Sequence, residues 1–169
     1  ICGYAQGAKA VNPAAKVIVN YTGDTPAAWN DPVKGGEIAK AQMSQGSDVI
    51  FAAAGGTGLG VLQAAADGGV LSIGVDSNQN HLHPGKVLTS MLKLVDNAVY
   101  QAFKDGPGLK PGVVKMDLAA GGVGYALDDN NKDLITDDMK AKVEAAKADI
   151  IAGKIKVHDY RTDSTCPAF

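Results

Sequence analysis

The stretch Asp48-Val-Ile-Phe-Ala-Ala-Ala-Gly-Gly-Thr-Gly-Leu-Gly60 limits what this chain can fold into more than any other. It opens as a continuous apolar run, the mark of a strand buried on both faces. It breaks at Gly55-Gly56 and resumes as Leu59, Val61, Leu62, Ala65 and Ala66, a helical spacing. The order is therefore strand, glycine turn, helix. In open α/β sheets ligands sit beyond the carboxyl ends of the strands, where such turns lie. Glycines let a ligand approach the backbone, and the first helical turn aims free amides at it. A tight turn with no ligand satisfies the same residues.

The 169 residues suffice for one ordinary domain. With 46% hydrophobic and 20% charged residues, the chain buries a core and is not disordered. A net charge of −2 gives no reason to expect nucleic acid or an anionic membrane surface as partner. No apolar run reaches the roughly 18 residues of a membrane-spanning helix. The chain opens at Ile1-Cys2-Gly3, without Met or a signal peptide, as a mature fragment or part of something longer would. Cys2 and Cys166 lie near opposite ends. They read either as a disulfide of an exported protein or as two free, buried thiols. Two cysteines are too few for a zinc framework.

Helix and strand signals alternate through residue 106. Residues 3 to 11 read as a helix stopped at Asn12-Pro13, and Lys16 to Tyr21 as a strand. Asp31 and Pro32 are an N-cap and first helical residue, for a helix ending at Gly46. Val70 to Val75 and Lys86 to Met91 are the next strands, and Leu92 to Phe103 a helix ending near Gly106-Pro107. Val113 to Leu118 and Val123 to Leu127 read as short strands around Gly121-Gly122, a hairpin with no clear place in the sheet. Asp128-Asp129-Asn130-Asn131 reads as a solvated turn. Thr136 caps a last helix with Met139, Val143, Ala146 and Ile150 inward. The pattern predicts α/β: a parallel sheet with helices on both faces.

Four places invite a ligand. Asp76 ends an apolar strand, where a carboxylate accepts hydrogen bonds from hydroxyls; capping the next turn is its other use. Lys93 reads as first-turn lysine of a helix, where it opposes the macrodipole, or as a plain surface lysine. Trp29, the only tryptophan, sits in a polar loop suited to stacking on a flat ligand, or lids the local core. Gly55 and Gly56 form the turn itself, whose spacing fits neither a dinucleotide fingerprint nor a P-loop. His81 and His83 make a His-x-His pair without a third ligand nearby, so no metal is expected. No nucleophile–base set stands out, which argues against an enzyme.

Together, residues 48–65, Ile73-Gly-Val-Asp-Ser-Asn-Gln79 and Gly85-Lys-Val-Leu-Thr-Ser-Met-Leu-Lys93 resemble the basic membrane protein (BMP) family. These are PnrA-like, nucleoside-binding substrate-binding proteins of ABC transporters. Tyr21 to Gly35, with its Trp-Asn-Asp-Pro, and Gly121-Gly-Val-Gly-Tyr125 extend the likeness over roughly residues 3 to 127. The resemblance implies a type I periplasmic-binding-protein fold, two lobes around a ligand. It implies Trp29 stacking on the nucleobase, where the family commonly shows Phe. Asp76 and Lys93 would hold the ribose hydroxyls, and Gly55 and Gly56 would line the cleft. Position 78, often acidic in the family, is Asn here.

The resemblance also implies that the first lobe is largely missing. Residues 1–91 would be mainly the second lobe, 92–127 a segment returning to pack with the first lobe, and 128–169 a C-terminal helix and tail returning to the second. The expectation is a non-catalytic importer component binding a nucleoside, of the purine class, without cofactor. Its partners would be an ABC permease and the first lobe of the same protein. Its place would be periplasmic or on the cell surface as a lipoprotein, with the export signal upstream. A sugar- or signal-binding protein of the same fold, or a nucleotide- or sugar-processing enzyme, is the alternative.

Overall fold

The structure, a computed structural model, describes residues 1–167. The chain divides into two compact units, residues 1–19 with 141–169, and residues 20–140.

The larger unit is built on the opening motif. Asp31 accepts the Lys34 amide at 3.0 Å and starts α2, Pro32–Ser44, with proline at the first turn. Gly46, at φ 93°, turns the chain out of it. Strand β1 is Val49–Phe51, a 3₁₀ turn follows at Gly55–Thr57, and α3 is Gly58–Asp67. Leu62 and Ala65 on α3 are fully buried, and with Ile50, Ala52 and Val87 they form the core. Two glycines let α2 and α3 approach. A Cβ on Gly60 would collide with the Pro32 carbonyl, and one on Gly35 with the Thr57 carbonyl.

Strands β2, Leu71–Asp76, and β3, Val87–Lys93, complete the expected parallel set. Strand β4, Val123–Tyr125, adds to β3 antiparallel, pairing Met91 with Tyr125 and Lys93 with Val123. The order is β1-β2-β3-β4. The α/β class thus holds, with a parallel-dominated sheet.

Four local readings change. Lys16 to Tyr21 joins no ladder, and a strand needs a hydrogen-bonded neighbour whatever its propensity. Val113 to Leu118 forms no strand either, so there is no hairpin; β4 finds its partner in β3 instead. Strand β3 runs on to Lys93, and α4 begins only at Val95, continuing to Asp105. Its entry is held by the Leu94 amide on Gly122 O at 2.9 Å and Asn97 Nδ2 on Gly121 O at 2.9 Å. Helix α5, Asp137–Ile151, is capped by Thr136 as read, but it buries no residue; Met139 and Val143 are exposed and Ala146 and Ile150 half-buried.

The smaller unit contains α1, Cys2–Val11, and the C-terminal segment. Cys2 and Cys166 are joined by a disulfide, with their Cα atoms 5.4 Å apart. The Gln6 amide acts as a backbone stand-in: Nε2 donates to Lys156 O at 3.0 Å and Oε1 accepts the His158 amide at 3.4 Å.

Candidate ligand-binding site

Three parallel strands put their carboxyl ends on one edge of the sheet, and the candidates gather there in two groups. The first surrounds the glycine turn. Trp29 ends a 3₁₀ turn, Pro26–Trp29, and the residue is 61% exposed. Its ring lies against Gly55: a Cβ there would sit 3.4 Å from Trp29 Cε3 and 3.1 Å from Trp29 O. Gly55 also has φ 57°, a conformation costly for any side chain. A Cβ on Gly56 would meet Asn30 Oδ1 at 3.1 Å. Buried Thr57 fixes the arrangement. Its Oγ1 donates to Ala28 O and accepts the Asp31 amide, both at 2.7 Å. One hydroxyl so ties the tryptophan turn, the α2 cap and the glycine turn together.

The second group is an ion pair. Lys93 Nζ lies 2.6 Å from Asp76 Oδ1, the two side chains 59% and 47% exposed. They end adjacent strands, with Asp76 opposite Leu92 in the register. Lys93 is a strand-end residue, not a helix-start one, so the macrodipole argument does not apply to it. Its neighbour is the carboxylate. An ion pair at a strand tip offers an acceptor and a donor side by side, the pattern that a vicinal diol satisfies. The exposed indole face offers stacking area. What relates the two groups is sheet topology: β1 leads into the glycine turn, β2 ends in Asp76, and β3 in Lys93.

Sequence reasoning missed the side chains behind Asp76. Asp128, read as part of a solvated turn, is half-buried and accepts four N–H groups. Asn78 Nδ2 donates to its Oδ2 at 2.6 Å and Asn80 Nδ2 at 3.2 Å. The Asn130 amide at 2.7 Å and Asn130 Nδ2 at 2.9 Å go to Oδ1. The bond from Asn78, then that from the Asn130 amide, holds its carboxyl below the ordinary carboxylate value. Asp129 stays exposed and pairs with Lys132 at 2.9 Å. The sequence held a signal only for Ser90, a polar residue inside an apolar strand whose buried hydroxyl needs partners and finds them in Gln79 and Asn80. Among the described residues no group of three His, Cys, Asp or Glu side chains is placed to hold a metal, His81 and His83 included.

The family model described as ABC transporter substrate-binding protein PnrA-like matches residues 1–160. The ABC transporter nucleoside-binding protein BmpA of Lactococcus lactis subsp. cremoris is 38% identical, over 92% of this chain and 47% of that protein. Basic membrane protein D of Borreliella burgdorferi is 34% identical, over 92% of this chain and 46% of that one. A crystal structure of an ABC transporter solute-binding protein from Aeropyrum pernix K1 matches with a TM-score of 0.74 at 30% identity, covering 92% of this chain and 52% of that chain. A solute-binding protein from Conexibacter woesei matches at 0.71 and 22% identity, covering 94% and 52%; that likeness is one of fold alone. The chain spans about half the length of these relatives.

Proposed function

The chain belongs to the PnrA-like family of ABC transporter substrate-binding proteins, and from that premise we propose that it takes part in binding a nucleoside, of the purine class, for import. The observation that carries the reading is the Lys93–Asp76 ion pair on the same sheet edge as the exposed Trp29. The indole stacks on the base, the carboxylate accepts from the ribose hydroxyls, and the ammonium donates to them. Gly55 and Gly56 line the cleft with backbone. No bond chemistry is needed, so the role is non-enzymatic.

The cleft closes against the first lobe, which the other half of the relatives' length would supply; the closed form is what a permease reads. In this organisation residues 1–91 and 128–169 serve the second lobe, and 92–127 return to the first. Support for the returning segment comes from α4, where Val95, Val99 and Phe103 recur at helical spacing and are all exposed, Phe103 at 83%. The Cys2–Cys166 disulfide supports an exported protein, at the cell surface or in the periplasm.

Titration with a nucleoside panel tests the reading, followed through the single tryptophan. Adenosine or guanosine quenches Trp29 fluorescence and free ribose does not. Asp76→Ala weakens nucleoside binding about 10- to 100-fold, the cost of losing charge-assisted hydrogen bonds. Unchanged affinity in Asp76→Ala rules out the ribose assignment. Quenching by free sugars alone turns the reading to sugar or signal binding, and release of free base turns it to an enzyme.

A further inference from the structure

Among the described residues, Asp76 is one of two non-glycine residues with positive φ, at 70°. The Ser77 amide donates to Val75 O across it at 2.9 Å, so Asp76 is the centre of a three-residue turn closed by a single hydrogen bond. This positive-φ form of the γ-turn is rare and strained, and it persists only where surrounding structure over-determines it. The surroundings do so on both sides. Before it, the Val75 amide donates to Gln79 Oε1 at 2.8 Å. After it, the Gln79 amide donates to Ser90 Oγ at 3.0 Å, and Ser90 Oγ donates to buried Asn80 Oδ1 at 2.8 Å. Gly74 makes room for this return: a Cβ there would lie 2.8 Å from both Gln79 Oε1 and Ser90 Oγ.

A carboxylate adds a further anchor to the loop. Asn78 and Asn80 both donate to Asp128 Oδ2. Asp128 is fixed in turn. Its amide donates to Asn131 Oδ1 at 2.8 Å, and buried Asn131 donates to Leu88 O at 2.8 Å and Ala126 O at 3.0 Å. Asp128 therefore connects β3, which ends in Lys93, to the loop that carries Asp76. All four groups facing its oxygens are donors, a set only a carboxylate accepts; an amide would turn an NH₂ toward one pair.

Resting on the nucleoside reading for its ligand, we propose that Asp128 is a positioning residue for ribose recognition. It clamps the Ser77–Asn80 loop so that Asp76 is held in its strained turn against Lys93. Nothing about Asp128 need touch the ligand. Its effect passes through Asp76 and vanishes when Asp76 is gone.

The test is a double-mutant cycle of Asp128→Asn and Asp76→Ala, read two ways. In ligand-free protein, Asp128→Asn speeds hydrogen exchange of the Gln79 amide and shifts the Asp76 carboxyl carbon resonance. With adenosine and guanosine as probes, Asp128→Asn weakens binding about tenfold in the wild-type background and has no further effect beside Asp76→Ala. Equal losses in both backgrounds mean a merely structural role and overturn the proposal, as does an unchanged ligand-free signature. If neither nucleoside binds the wild type, the nucleoside reading falls, while the ligand-free readouts still decide whether Asp128 positions Asp76. Should Asp128→Asn fail to fold, Asn78→Ala cuts the same contact from an exposed position and gives the same ligand-free changes; their absence overturns the proposal.

Discussion

Asp76 and Lys93 illustrate how little an exposed ion pair explains by itself. A pair this open to water contributes about 0–1 kcal/mol to stability. Its strand-tip location and the strained backbone at Asp76 are features that the proposed recognition role would use. Asp128 contributes differently, because its carboxylate is held down by hydrogen bonds, first that of Asn78 and then that of the Asn130 amide. A carboxyl lowered in the folded state stabilises it above the unfolded value, and that contribution is lost as pH falls through the folded value. Urea midpoints measured from about pH 6 down to about pH 2 should therefore fall toward acid, and fall less steeply in Asp128→Asn. Asp163, lowered mainly by the Thr165 amide, adds a slope of the same sign in both proteins, so the difference belongs to Asp128. Parallel slopes would show that the clamp does not depend on charge.

At the scale of elements, the short connection between β1 and α3 depends on one hydroxyl. Thr57 Oγ1 is fully buried and makes both of its bonds to the segment that carries Trp29 and the α2 cap. Thr57→Val keeps the shape and strands the Ala28 carbonyl and the Asp31 amide. The expected loss is about 1–3 kcal/mol of unfolding free energy, measured by denaturant titration. Thr57→Ser keeps the hydroxyl and should recover most of it; if valine costs no more than serine, the bonds do not matter. Helix α4 shows the opposite condition. Its entry is fixed by the Gly121-Gly122 turn, yet Val95, Val99 and Phe103 stay exposed.

For the molecule as a whole, the units gain their order differently. Residues 20–140 have a packed α/β core around Leu62 and Val87. Among the described residues of the smaller unit, few side chains are buried, Cys2 and Ala5 among them, and a disulfide spans a separation of 164 residues. Removing a disulfide that closes a long loop typically costs about 2–5 kcal/mol. Reduction should thus strip hydrogen-exchange protection from α1, while the amides of β2 keep theirs. Equal loss in both regions would mean that the two units unfold as one.

Much of this was legible in the chain. The apolar run from Asp48, the glycine break and the Asp31-Pro32 cap are local signals, and each set an element that the structure contains. The same residues carried the family likeness. Propensity did not decide which extended segments become strands. Lys16 to Tyr21 and Val113 to Leu118 have the composition, but pairing is a property of two segments, and only Val123–Tyr125 found a ladder, on β3. Nor could any local pattern reveal Asp128 beneath Asp76. That link spans 50 residues, through Asn78, and exists only because β3 and β4 bring the two loops together. The sequence by itself determined the strand–glycine–helix frame and the residue types at its edge. Only the tertiary structure decided which of them touch, because hydrogen bonds and ion pairs depend on distances that the fold, not the order of residues, sets.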